Sequence, residues 1–137
     1  MVETELNYKS GGGVLQIGDN CGISNTAITC AERINIGKNV LIGAGCKIYD
    51  TDFHPLEARW RYGEYLDNTH AKSKQITIED GAFIGAHSII LKGSYIGKNA
   101  VIGAGTVVCG RIPENEIWGG NPARKIRNIV VEGEGKC

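Results

Sequence analysis

The sequence predicts an all-β fold in which short strands wind into a parallel β-helix of about four to five coils. Aliphatic residues recur at Ile78, Ile84, Ile90, Ile96, Ile102 and Val108, a strict period of six. Four positions after each of the first five stands a small side chain: Ala82, Ser88, Ser94, Ala100 and Thr106. Glycine directly follows the aliphatic residue at 85, 97 and 103. No α-helix and no simple alternating strand keeps this period. Three six-residue units make one turn of a triangular prism, with both slots facing inward and successive turns about 4.8 Å apart. The period establishes a coil but not its hand; parallel crossovers in general favour the right-handed one.

Taken in order, residues 1–14 carry no repeat, and Gly11, Gly12 and Gly13 read as a flexible lead-in. The rhythm starts at Ile17 and Ile23, then stumbles. Residue 29 is Thr, and the phase restarts at Ile36, nineteen residues after Ile17, so one inserted residue within ITCAERIN should bulge a corner. Ile42 and Ile48 follow in phase. From His54 to about Lys74 the phase is lost, in a stretch rich in basic and aromatic residues. A loop this long in a compact domain usually has a function. The repeat resumes at Ile78 and runs down after Ile112 and Pro113. One domain over 15–127 with a loop at 54–75 is expected, followed by a polar tail at 128–137.

Composition narrows the function. Net charge is zero, which disfavours nucleic-acid binding through a basic surface. No apolar run reaches the length of a membrane span. The first residues, MVETELNYK, have neither the basic nor the apolar region of a secretory signal, and a terminal Cys137 does not fit a prenylation box. Cys21, Cys30, Cys46, Cys109 and Cys137 show no C-x-x-C pairing. Cys21 and Cys46 fall on the small slot and read as core fillers. A cytoplasmic protein with free thiols is the expectation.

Four stretches resemble the hexapeptide-repeat acyltransferases, most of all the maltose, galactoside and capsule or O-antigen sugar O-acetyltransferases. They are IGKNVLIGAG at 36–45, YDTDFHPLEAR at 49–59, IGAHSIILKG at 84–93 and IGAGTVVCGRIPENEIWGGNPARKIR at 102–127. The repeat alone says little about function, because other activities share it. Asp-x-His-Pro followed by GNPA-x-x-IR is far more specific. The resemblance implies the left-handed form of the β-helix, a homotrimer with sites between subunits, and transfer of an acetyl group from acetyl-CoA to a sugar or polysaccharide hydroxyl. It implies no required metal and no covalent acyl-enzyme.

The resemblance makes His54 the general base. A hydroxyl is a poor nucleophile until its proton is taken, and imidazole suits that task near neutral pH. Counting from Ile48, Asp52 falls on the inward small slot. It would either orient His54 or satisfy backbone amides at the corner, since a buried carboxylate needs partners. Asn25 matches the family's acceptor-contacting Asn, although a corner Asn has the same signature. For coenzyme A the matching positions are Ala86, Ala104, Cys109, Gly110 and Arg127. Arg127, with Arg124 and Lys125, would meet phosphates or simply form a solvated end of the coil.

There are departures from the family. Cys109-Gly110 replaces a common Thr-Lys, Trp118 replaces a small aliphatic residue, and the N-terminal cap of the maltose and galactoside enzymes is absent. Trp118 suits either stacking on the cofactor or packing in a core or interface. Arg59, Trp60, Arg61, Tyr62, Tyr65 and His70 in the loop suit an acceptor or a neighbouring subunit. Two other readings compete. One is a non-catalytic β-helix scaffold. The other is a γ-type carbonic anhydrase, which needs three His ligands, two of them five residues apart; His54, His70 and His87 are spaced sixteen and seventeen.

Overall fold

The structure, a computed structural model, describes residues 2–6, 12–62 and 71–130. Strands wind round three parallel sheets. The first coil holds β2 (Val14–Ile17), β3 (Gly22–Ile23) and β4 (Thr26–Cys30), and β1 (Val2–Leu6) pairs beside β4. The second holds β5 (Arg33–Ile36), β6 (Leu41–Ile42) and β7 (Lys47–Tyr49). One helical turn, α1 (Ala58–Arg61), lies in the excursion that follows. Then come β8 (Ile76–Ile78), β9 (Phe83–Ile84) and β10 (Ile89–Ile90), and next β11 (Tyr95–Ile96), β12 (Val101–Ile102) and β13 (Val107–Val108). A partial fifth coil has β14 (Arg111–Ile112) and β15 (Glu116–Gly119), and β16 (Arg124–Asn128) closes its sheet antiparallel to β15. Two coils precede the excursion and two follow it, as the period implies.

Register explains the core. Ile36, Ile78, Ile96 and Ile112 stack on one sheet, which we call the first. Ile23, Ile42, Ile84, Ile102 and Trp118 stack on the second. Ile28, Ile48, Ile90 and Val108 stack on the third. Cys46, Ala82, Ser88, Ser94, Ala100 and Thr106 fill the small slot and are fully buried. The buried hydroxyls are satisfied by carbonyls, Ser88 Oγ by Gly103 at 3.1 Å and Thr106 Oγ1 by Gly103 at 2.6 Å. Glycine after the aliphatic residue lets coils touch: a methyl on Gly85 would lie 2.5 Å from the Ala104 nitrogen.

The irregular corner differs from the expected single bulge. Ile28, not residue 29, occupies the column, so one unit is a residue short, and eight residues then separate Ile28 from Ile36. The surplus forms the corner between β4 and β5. Asp50 fills it from below. Its carboxylate accepts from the Ala31, Glu32 and Arg33 amides at 2.7, 2.8 and 2.9 Å, and its side chain is wholly buried. Burial, and then the Asp50 charge, push the neighbouring Cys30 thiol up to about 11, so it stays protonated at neutral pH.

Candidate functional site

The excursion begins and ends on a short antiparallel neck. Lys74 N–H donates to the Asp50 carbonyl and Asp52 N–H to the Lys72 carbonyl, both at 2.9 Å, around a bridge between Thr51 and Ser73. Beyond the neck the chain reverses sharply. His54 N–H donates to the Asp52 carbonyl at 2.7 Å, which closes a three-residue γ-turn with Phe53 at φ 65°. Phe53 N–H donates to Thr51 Oγ1 at 3.0 Å, and the Phe53 ring meets Tyr49 edge-on with centroids 4.9 Å apart. His54 emerges exposed, and Pro55 behind it is buried. The first part of the loop then folds on itself, because Arg61 Nη1 donates to the Leu56 carbonyl at 2.8 Å and lies 3.3 Å from that of Pro55.

Asp52 does not occupy the inward slot. Strand alternation from Ile48 puts Asp50 there, and it is Asp50, not Asp52, that satisfies backbone amides at the corner. Asp52 instead pairs with Lys92 on the next coil, Oδ1 to Nζ 2.9 Å, with Lys92 about a third exposed. Its Oδ2 is buried and has no hydrogen-bond partner among the described residues. Lys92 and Phe53 are therefore the residues that sequence reasoning missed. Lys92 sits at an ordinary outward slot of the repeat, and a bulky residue at positive φ has no sequence signature.

The remaining candidates divide between two edges of the prism. Asn25, Ala86 and Ala104 share the edge between the second and third sheets. Gly45 N–H donates to the Asn25 carbonyl at 2.9 Å, His87 N–H to Ala44 at 2.9 Å and Gly105 N–H to Ala86 at 2.8 Å. Cys109 and Gly110 lie on the edge between the third and first sheets, which also carries the neck, Asp52, His54 and Lys92. The five steps from Ala104 to Cys109 cross the third sheet, roughly 15 Å at strand rise. A single chain thus does not bring His54 to Asn25. Arg127 lies on β16 in register with Ile117, exposed, while Lys125 Nζ is drawn 3.4 Å from Glu116 Oε2.

A methyl on Gly105 or Gly110 would meet nothing within 4 Å, so the main chain is open on both edges. Cys109 is exposed and Cys46 buried. Trp118 is partly buried against the core at the end of its column and donates to Glu116 Oε1 at 3.1 Å. Tyr65 and His70 lie outside the described residues. Among the described residues no group of three His, Cys, Asp or Glu side chains is placed to hold a metal ion, and no helix is long and apolar enough to cross a membrane.

Known proteins share this arrangement. The bacterial transferase hexapeptide family (six repeats) matches residues 75–110, and the hexapeptide repeat of succinyl-transferase matches 33–48. A galactoside acetyltransferase solved in complex with coenzyme A superposes with a TM-score of 0.74 at 30% identity, covering 99% of this chain and 72% of that one. The chain belongs to the hexapeptide-repeat acyltransferases. Within that family, an acetyltransferase from Vibrio cholerae complexed with acetyl coenzyme A gives a TM-score of 0.80 at 31% identity, over 95% of this chain and 66% of that one. The galactoside O-acetyltransferase of Escherichia coli strain K12 is 37% identical over 123 residues, 89% of this chain and 58% of that protein. A mitochondrial γ carbonic anhydrase of Arabidopsis thaliana is 32% identical, but over only 41% of its own length. The chain spans between 48% and 60% of the length of four curated relatives that it matches.

Proposed function

We propose that the chain transfers an acetyl group from acetyl-CoA to a hydroxyl of a sugar or polysaccharide precursor, with His54 as general base. The observation that carries this is the exposed His54, held by a rigid neck at the base of the excursion, on a fold whose relatives bind acetyl-CoA and coenzyme A. His54 takes the acceptor's hydroxyl proton as the oxygen attacks the thioester carbonyl. The C–S bond then breaks, and the imidazolium returns the proton to the leaving thiolate. No acyl-enzyme forms, and backbone amides of a coil stabilise the oxyanion. Ala86, Ala104, Cys109 and Gly110 line the pantetheine through main chain, and Arg127 meets the phosphates. Asn25 contacts the acceptor, donating and accepting through its amide. Asp52 shapes the His54 side of the acceptor site, and the compartment is the cytoplasm, which suits four free described thiols.

The test is release of coenzyme A from acetyl-CoA with a panel of pyranosides. Acetyl-CoA binding by calorimetry without release for any acceptor would restrict the reading to a binding protein. No binding at all would favour the scaffold.

A homotrimer completes the site. His54 and Asn25 stand on different edges of one prism, so His54 of one copy faces the Asn25–Ala86–Ala104 edge of the next. The outward faces support this. Gln16, Asn35, Thr77, Tyr95 and Arg111 make the first sheet polar, while Leu41, Phe83, Val101 and Ile117 form an apolar stripe on the second. Leu41 and Phe83 are about half exposed in the single chain, and burying such a stripe drives association. Light scattering is expected to give three times the chain mass, and Phe83→Lys to shift it toward one. A monomeric wild type would contradict the trimer.

A further inference from the structure

We propose that Phe53 is a positioning residue for His54, acting through the γ-turn that it closes; this rests on the reading of His54 as the base. Seven non-glycine residues among those described have positive φ. Five are Asn and one is His87, all at prism corners, where short polar residues take this conformation readily. Phe53, at φ 65°, is the exception. A bulky residue there is a genuine outlier, and such strain persists only where the surroundings over-determine it.

Here they do so from four sides. Thr51 Oγ1 holds the Phe53 amide, the Asp52 carbonyl holds the His54 amide, the Tyr49 ring seats the Phe53 ring, and Lys92 and the Lys72 carbonyl hold Asp52. Gly would make the turn with less strain. The aromatic ring adds an anchor to the coil through Tyr49, which a small residue lacks. The turn therefore cannot swing, and His54 leaves it in one direction between a clamped Asp52 and a buried Pro55.

The experiment compares Phe53→Gly, which keeps the backbone conformation accessible and removes the anchor, with Phe53→Tyr, which keeps the ring. Turnover and the KM for acetyl-CoA are measured on the folded protein. The imidazole Cε1–H resonance of His54, assigned by its absence in His54→Ala, is followed by NMR. Phe53→Gly is expected to lower kcat about tenfold or more, since small misplacements of a catalytic group are costly. KM for acetyl-CoA stays near wild type, and the His54 resonance moves toward that of a solvated histidine while His87 does not move. Phe53→Tyr restores most of the loss. If Phe53→Gly fails to fold, Tyr49→Leu removes the ring contact and takes its place.

Wild-type turnover in the anchorless variant, or an unmoved His54 resonance, overturns the proposal. Should His54→Ala retain turnover, the base assignment fails instead, and the resonance still decides whether Phe53 holds that side chain.

Discussion

Replacing His54 with alanine is expected to lower kcat by roughly 10²–10⁴-fold while the KM for acetyl-CoA changes little. That range corresponds to about 3–5 kcal/mol of transition-state stabilisation. The split follows from the kind of contact each residue makes. On the proposed reading His54 acts on the acceptor hydroxyl, whereas Ala86, Ala104, Cys109 and Gly110 hold the pantetheine arm through main chain that does not depend on the imidazole. Removing the ring therefore deprives the acceptor hydroxyl of its base without altering main-chain contacts to the pantetheine arm. The check is initial-rate kinetics of coenzyme A release at saturating acceptor, with wild type and variant at matched chain concentration. A variant with wild-type kcat would remove His54 from the mechanism, and a selective rise in KM would make it a binding residue.

The second large effect concerns stability. Asp50→Ala is expected to destabilise the fold by about 4 kcal/mol, because three amides at a buried corner lose their acceptor together and each stranded donor costs roughly 1–3 kcal/mol. Asp50→Asn should cost about half as much. Its carbonyl oxygen can replace Oδ2, which serves Glu32 and Arg33, but its NH₂ would then face the Ala31 amide, donor against donor. Urea unfolding at one fixed chain concentration measures both, since association shifts the apparent midpoint. An alanine variant within about 1 kcal/mol of wild type would mean that water reaches the corner and satisfies those amides.

Legibility followed periodicity. From Ile78 to Val108 the inward column is written in the sequence one residue in six, and every predicted position is buried. The same counting failed at Asp52, where the repeat was already ending. There the chain obeys the shorter alternation of an ordinary strand, so Ile48 and Asp50 share a face, and a carboxylate went unnoticed in the core. The corner after Ile28 was legible as a surplus of residues but not in its position, because a five-residue unit before it absorbs part of the count. His54 was legible through its Asp-x-His-Pro neighbours. Its geometry was not, since the turn at Phe53 depends on Tyr49 and Thr51 rather than on the preference of Phe for any turn. The division of candidates between two edges was also invisible: residues one coil apart in sequence share an edge, and residues five apart do not.

The neck has one more consequence. Ile36 pairs directly with Ile78, forty-two positions on, as Ile78 pairs with Ile96 only eighteen positions on. The wall keeps its phase as though the intervening segment were not there. Because the segment closes on itself through Asp50, Asp52, Lys72 and Lys74, its length bears on the coil only through loop entropy, about 0.6 kcal/mol for each doubling. The molecule is thus built as a fixed frame carrying an exchangeable cassette. Sequence in the segment can drift, or be grafted from a relative, at little risk to the coil that carries it.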